Sequence, residues 1–212
     1  MKVLSITLLT DGPSDRALVP IVEWIVGNKI SSYPFQVQMA HTSLGHSAGL
    51  RDRIEHAALH YPCDILVIHR DAEAAKPVLR EKEIRDALSI INLNQTRAVS
   101  VIPVRMTEAW LLFDELAVRR AAGNPIGVKP IFLSTAKKWE QEIDPKLLLL
   151  TALREASELS GRRLAKFNAH EAKNRVADLI RDFSALSKLE SFCAFQVKLE
   201  DALVGYTDQN LP

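Results

Sequence analysis

The sequence predicts an α/β protein: a parallel sheet of about four strands with flanking helices, followed by a helical C-terminal region. Two observations carry that prediction. Short, nearly continuous apolar runs alternate four times with segments whose apolar residues recur at helical spacing, which is the pattern of βα units whose strands are buried on both faces. Beyond about residue 122 the strand-like runs stop, and a Gly/Pro-rich stretch from Gly123 to Pro130 leads into helical sequence only. The expected division is 1–122 for the α/β domain and 123–212 for a helical extension packed on it.

Taken in order, Lys2 to Thr10 is an apolar run closed by Asp-Gly-Pro-Ser, a strand meeting turn residues. Ala17, Leu18, Ile21, Val22, Ile25 and Val26 then fall on one helical face that ends near Gly27 and Asn28. Phe35 to Ala40 alternates and reads as the second strand. Ser47 to His60 carries Leu50, Ile54, Ala57 and Ala58 on one face, a second helix. Asp64 to His69 is the third strand and runs into Arg70-Asp71; a charged helix follows from Pro77 to Ile91. Ala98 to Val104 is the fourth strand, and Pro103, which lacks a ladder donor, belongs at an edge or a strand end. Thr107 is expected to cap the helix that begins there. Asp144-Pro145 opens a leucine-rich helix, and Glu171–Ser187 and Leu189–Leu203 read as two more.

The bulk numbers exclude several classes. Hydrophobic residues make up 47% and charged residues 25% of 212, the balance of a globular chain with a sizeable core. A net charge of +1 is neither the basic excess of a dedicated nucleic-acid binder nor an acidic tail, and it leaves nucleic acid open, because an acidic metal site can offset a local basic surface. Cys63 and Cys193 share no motif spacing and read as buried free thiols. The first apolar run stops at a carboxylate without a cleavage site, and no run is long enough to span a bilayer, so no membrane partner is expected and the cytoplasm is the default compartment.

The chemistry gathers at strand ends. In open α/β sheets, ligands bind outside the carboxyl ends of the strands. Here the first strand ends at Asp11, with Asp15 close behind; the third ends at Asp71, followed by Glu73; Glu108 stands just past the fourth. Carboxylates crowded into one cleft repel unless a cation is present, and magnesium, hard and oxygen-seeking, is the natural choice, with manganese as its substitute. Each acid also has a plain structural alternative as a turn residue or helix cap. His69 could line this site or pack the sheet. His56 and His60, four apart, lack a third zinc ligand. Ser43, Ser47 and the neighbouring glycines suggest a phosphate-tolerant turn but form no P-loop. Trp24, Trp110 and Trp139 sit in apolar helical contexts and read as core.

These motifs resemble a known family. Asp11-Gly12-Pro13-Ser14-Asp15 is similar to the E-G-x-S-D turn of Toprim domains, as in the overcoming-lysogenization-defect nucleases, and Arg70-Asp71-Ala72-Glu73 to their D-x-D motif. Val104 to Leu112 resembles the acidic strand-to-helix junction of a related, poorly characterised bacterial family, with Asp144-Pro145-Lys146 matching its downstream D-P-K. The resemblance covers roughly the first 115 residues. Asp11 stands where the family has glutamate, and Glu73 where it has aspartate. The resemblance implies a Toprim-like sheet and magnesium-dependent phosphodiester hydrolysis or phosphotransfer on nucleic acid, in bacterial defence or DNA repair. It implies two-metal chemistry, with one ion on Asp71 and Glu73, while Asp11, Asp15 and Glu108 complete that site or hold the second. Asp11 would take the family's acid–base duty and Lys146 would meet a phosphate or developing charge, with Arg162, Arg163 and Lys166 as a further phosphate clamp. A separately encoded ATPase is the implied partner, and a homodimer stays open. The alternative is a non-catalytic Toprim-like module that binds metal, nucleotide or a partner; a receiver-like phosphoacceptor ranks below both, since no fifth strand with its lysine is evident.

Overall fold

The computed structural model describes residues 2–41, 44, 48–73 and 75–210; the turn around Ser43 and Ser47 lies outside the described residues. Four strands, β1 (Leu4–Leu9), β2 (Phe35–Met39), β3 (Ile65–His69) and β4 (Arg97–Val101), form one all-parallel sheet in the order β2-β1-β3-β4. Register pairs Leu4 with Phe35, Ile6 with Ile65, and His69 with Val101. Helices α1 (Leu18–Lys29), α2 (Leu50–His60) and α3 (Pro77–Leu88) make the crossovers. After β4 come α4 (Glu115–Ala121), α5 (Pro145–Ala156), α6 (Gly161–Ala165), α7 (Ala169–Leu179) and α8 (Glu190–Asn210).

Period-2 alternation divides the strands between two cores. Leu4, Ile6 and Leu8 of β1, with Ile65 and Val67 of β3, face a large cluster that contains α1 and also Leu149, Val176, Phe192, Phe195 and Leu199 of the C-terminal helices. The residues after 123 therefore share a core with the sheet. Leu9, Leu66 and Ile68 face the smaller cluster under α2 and α3, with Leu50, Ile54, Ala57 and Ile84. Trp110 is fully buried between α8 rings, 5.4 Å from Phe192 and 6.3 Å from Phe195 by centroid, and its indole donates to Ser191.

Local chemistry sets the helix ends. Asp144 caps α5 by accepting from Leu147 N at 2.8 Å, and Pro145 occupies the first turn, where its missing donor costs nothing. The helix expected from Thr107 is instead a 3-10 turn (Thr107–Leu111) followed by the short α4, capped by Asp114. Thr107 does not cap it: it is the first residue of the turn, which has no side-chain cap, and its hydroxyl and amide serve Asp71. Similarly, a 3-10 turn (Pro13–Ala17) separates β1 from α1. Pro103 lies just past β4, a strand at the sheet edge, where its carbonyl accepts from Ala72 N at 3.0 Å. Edge exposure on β4 is covered by α8: Arg97 donates to the Gly205 carbonyl, and Lys198 bridges Glu81 and Ser100. Cys63 and Cys193 are free and half-buried. Among the described residues no helix is long and apolar enough to cross a membrane.

Candidate metal centre

The chain leaves β1 to pair β2 on one side and returns to pair β3 on the other, so the strand order reverses at the carboxyl ends of β1 and β3. Such a point opens a crevice in doubly wound sheets. Three elements send side chains into it. The 3-10 turn after β1 supplies Asp15, β3 supplies His69 as its last residue and Asp71 two positions on, and the turn after β4 supplies Thr107. Because i and i+2 share a strand face, His69 and Asp71 point the same way as Ile65 and Val67.

His69 is the hub. Its Nε2 lies 3.0 Å from Asp71 Oδ1 and 3.1 Å from Thr107 Oγ1. Asp71 Oδ1 also accepts from the Thr107 backbone N at 3.1 Å and its hydroxyl at 3.3 Å. On the other side, His69 Nδ1 lies 3.4 Å from Asp15 Oδ2, yet it is buried without a hydrogen bond. Asp15 is held by Gly12 N at 3.0 Å and by the Ser14 hydroxyl at 3.3 Å. One ligand atom from each of Asp15, His69 and Asp71 can be chosen so that all lie within 4.8 Å of one another, and this is the one such group among the described residues.

Burial at 1% exposure works against an imidazolium, but the carboxylates of Asp15 and Asp71 outweigh it, and the His69 pKa is pushed up to about 9. Burial likewise opposes ionisation of Asp15; the His69 ring beside it, with the Gly12 amide and Ser14 hydroxyl, holds it below the usual carboxylate value. Backbone strain marks the rim. Glu73 and Arg105 both have left-handed φ, 53° and 66°, and zip the loops after β3 and β4 together through Glu73 N donating to Arg105 O at 2.8 Å. Non-glycine residues in that region persist only where surroundings hold them, and such strain clusters at functional sites.

The five carboxylates singled out in the sequence take separate surroundings. Asp15 and Asp71 meet through His69. Asp11 sits outside them, 2.8 Å from Arg53 Nη1 and 3.5 Å from Arg70 Nε. Glu73 is exposed and lies 3.7 Å from Arg80 Nη2. Glu108 is buried against Lys173, with Nζ donating to Oε1 at 2.7 Å. Lys146 is half-buried in the first turn of α5. Arg162, Arg163 and Lys166 stand exposed on and just after α6, and among the described residues none forms an ion pair with Asp15 or Asp71. His56 and His60 lie ring to ring at 4.3 Å on α2.

His69, Thr107 and Lys173 are the residues whose part sequence reasoning left unassigned or misread. The spacing of His69 and Asp71 carried a usable signal, since strand parity puts them on one face. Thr107 looks like a helix cap in one dimension. Lys173, 65 residues from Glu108, carries none. Set against known proteins, the chain matches no family model, no curated protein and no solved structure. The class that fold and site define is therefore a parallel α/β protein with a buried Asp–His–Asp group at its topological switch point.

Proposed function

We propose that this chain is a divalent-metal-dependent enzyme of phosphodiester chemistry, acting on nucleic acid, with Asp15, His69 and Asp71 as the metal ligands. The observation that carries the reading is their convergence within 4.8 Å at the switch point. The residues fit an ion on two further counts. His69 Nδ1 is a buried nitrogen without a hydrogen bond, and such atoms call for an unseen partner. Its 3.4 Å separation from Asp15 Oδ2 is too long for a good hydrogen bond, but it suits two ligands each about 2.1 Å from one ion at a tetrahedral angle, which are about 3.4 Å apart. With an imidazole in the set, manganese or zinc suits it better than magnesium.

A divalent ion held there would neutralise charge on a phosphoryl oxygen and orient water. The chain's own groups do the rest. Thr107 fixes Asp71 by two hydrogen bonds, and Asp71 Oδ1 in turn lies 3.0 Å from His69 Nε2, so the three side chains are held against one another. Gly12 and Ser14 fix Asp15. Lys173 neutralises Glu108 beside Thr107, which keeps a further negative charge out of the centre. The Toprim-like motifs supply the substrate class.

One observation favours a second reading. With its pKa near 9, His69 is an imidazolium at neutral pH between two carboxylates, and such a triad balances much of its charge without an ion. That suits a non-catalytic binding module. Manganese binding, followed by calorimetry and by the electron paramagnetic resonance of bound ion, separates the two. Cleavage of supercoiled DNA, single-stranded DNA and RNA is then compared for the wild type and Asp71→Asn. Metal binding with cleavage, both lost in Asp71→Asn, supports the enzyme. Metal binding without cleavage leaves the module, and absence of metal binding overturns the centre.

A further inference from the structure

Arginines from three elements converge at the mouth of the centre. Arg53 comes from α2, Arg70 from the loop leaving β3, and Arg80 from α3. Arg80 Nε donates to the backbone carbonyl of Asp71 at 3.2 Å, which places its guanidinium beside the metal-ligand group. Arg53 donates to the Thr10 carbonyl, just past β1, and pairs with Asp11. The three guanidinium groups face Asp11, Glu73 and Glu83.

The pairing is uneven. Arg53–Asp11 at 2.8 Å and Arg80–Glu83 at 3.0 Å are hydrogen-bonded. Arg70 is the loosest: its Nε is 3.5 Å from Asp11 and its Nη2 3.4 Å from Glu83. Arg70 Nε is buried and makes no hydrogen bond. A network built for stability would close such a donor, since a buried unsatisfied donor is costly. A guanidinium is a planar fork matched to the oxygens of phosphate, and its natural use at a cleft mouth is to receive one.

We propose that Arg53, Arg70 and Arg80 form a clamp for a phosphate oxyanion at the mouth of the Asp15–His69–Asp71 centre. Asp11 and Glu83 act as resident counter-ions, holding the guanidinium groups in place until phosphate oxygens replace them. This rests on the phosphodiester reading above and extends it, because it assigns substrate contact to the rim of the sheet and gives Asp11 a positioning role. The ligand chemistry is shared by a nucleic-acid backbone and by a small phosphorylated compound.

The test measures binding without metal, in EDTA, by calorimetry with inorganic phosphate and with a short single-stranded DNA oligonucleotide. The wild type is compared with Arg70→Gln, Arg70→Lys and Asp11→Asn, and manganese affinity is measured separately for each. Arg70→Gln is expected to weaken phosphate at least tenfold with manganese affinity unchanged, and Arg70→Lys, which keeps charge but not the fork, to fall between. Asp11→Asn is expected to tighten phosphate several-fold, a gain that misfolding cannot produce. Tighter binding of the oligonucleotide than of phosphate supports the clamp with nucleic acid as its source; binding of phosphate alone supports it with a small phosphorylated ligand. Phosphate affinity in Arg70→Gln within twofold of wild type, or no binding by either wild type or Asp11→Asn, overturns the clamp. Phosphate binding lost in Arg70→Gln in a protein that never binds manganese keeps the clamp and removes the metal reading instead.

Discussion

Two aspartates bracket β3, and the sheet treats them differently. Asp64, on its amino side, accepts from Lys2 Nζ at 2.6 Å, from Ser5 N at 2.9 Å and from Ser5 Oγ at 2.8 Å. Its backbone ties β1 and β4 to the same point, donating to Ser5 O and accepting from Arg97 N, both at 2.9 Å. At the carboxyl side, Asp71 and Asp15 share one histidine whose Nδ1 makes no hydrogen bond. At the amino edge Asp64 is closed by a cation and two further donors. At the carboxyl edge the Asp15–His69–Asp71 group sets two carboxylates against one histidine, with two strained residues at its rim. The same strand thus ends in a structural clamp at one side and an incompletely satisfied cluster at the other, and only the second invites a ligand.

The largest expected effect comes from removing the buried cation beside the carboxyl edge. Lys173, 5% exposed, is the partner of buried Glu108 beside the centre. Removing one member of a buried pair leaves an uncompensated charge and typically costs roughly 3–5 kcal/mol. Lys173→Ala is expected to lose that much in urea unfolding, while Lys173→Met with Glu108→Leu recovers most of it. If Lys173→Ala were as stable as wild type, the carboxyl edge would not be the electrostatically demanding one.

Titration tells the edges apart by direction. The folded pKa of His69 lies above its ordinary 6.5, near 9, so its contribution is complete below about pH 6.5 and is lost as pH rises through about 9. Linkage puts that contribution on the order of 3 kcal/mol. Burial opposes ionisation of Asp64, but Lys2 and the two Ser5 donors outweigh it and lower its pKa. Its contribution is therefore present above the usual aspartate pKa and is lost as pH falls through the folded value. In EDTA, the alkaline limb of the stability profile should flatten in His69→Gln and the acid limb in Asp64→Asn. An alkaline limb unchanged in His69→Gln would remove the imidazolium.

Much of this was legible in one dimension, and the rest was not for definite reasons. The apolar run of β3 and its halt at Asp71 located the right sheet edge, because a strand buried on both faces needs no polar positions until it emerges. Asp15 was visible through the turn residues around it. The fates of Asp11, Glu73 and Glu108 were not, since their cations sit on α2, α3 and α7 and only the packing of those helices brings them in. Thr107 misled because Thr before a helical pattern signals a cap, whereas its amide and hydroxyl serve a carboxylate on a neighbouring loop.

Metal affinity sharpens the contrast at the next level down. Asp15→Asn and Asp71→Asn are each expected to weaken manganese by at least about tenfold, about 1.4 kcal/mol, while Asp64→Asn leaves it unchanged. Calorimetry at pH 8 checks all three. Equal losses in Asp64→Asn would mean that manganese reads the overall charge of the protein and not this centre.

The smallest effect should come from Lys2. Its ammonium is 2.6 Å from Asp64, but the lysine side chain is 60% exposed, and exposed pairs contribute about 0–1 kcal/mol and are screened by salt. Asp64 also keeps both Ser5 donors when Lys2 is gone. Lys2→Ala is therefore expected to cost under about 1 kcal/mol in low salt and less at high salt, against several for Lys173→Ala. A comparable loss from both lysines would show that a short ion-pair distance, and not burial, decides what each edge of this sheet can tolerate.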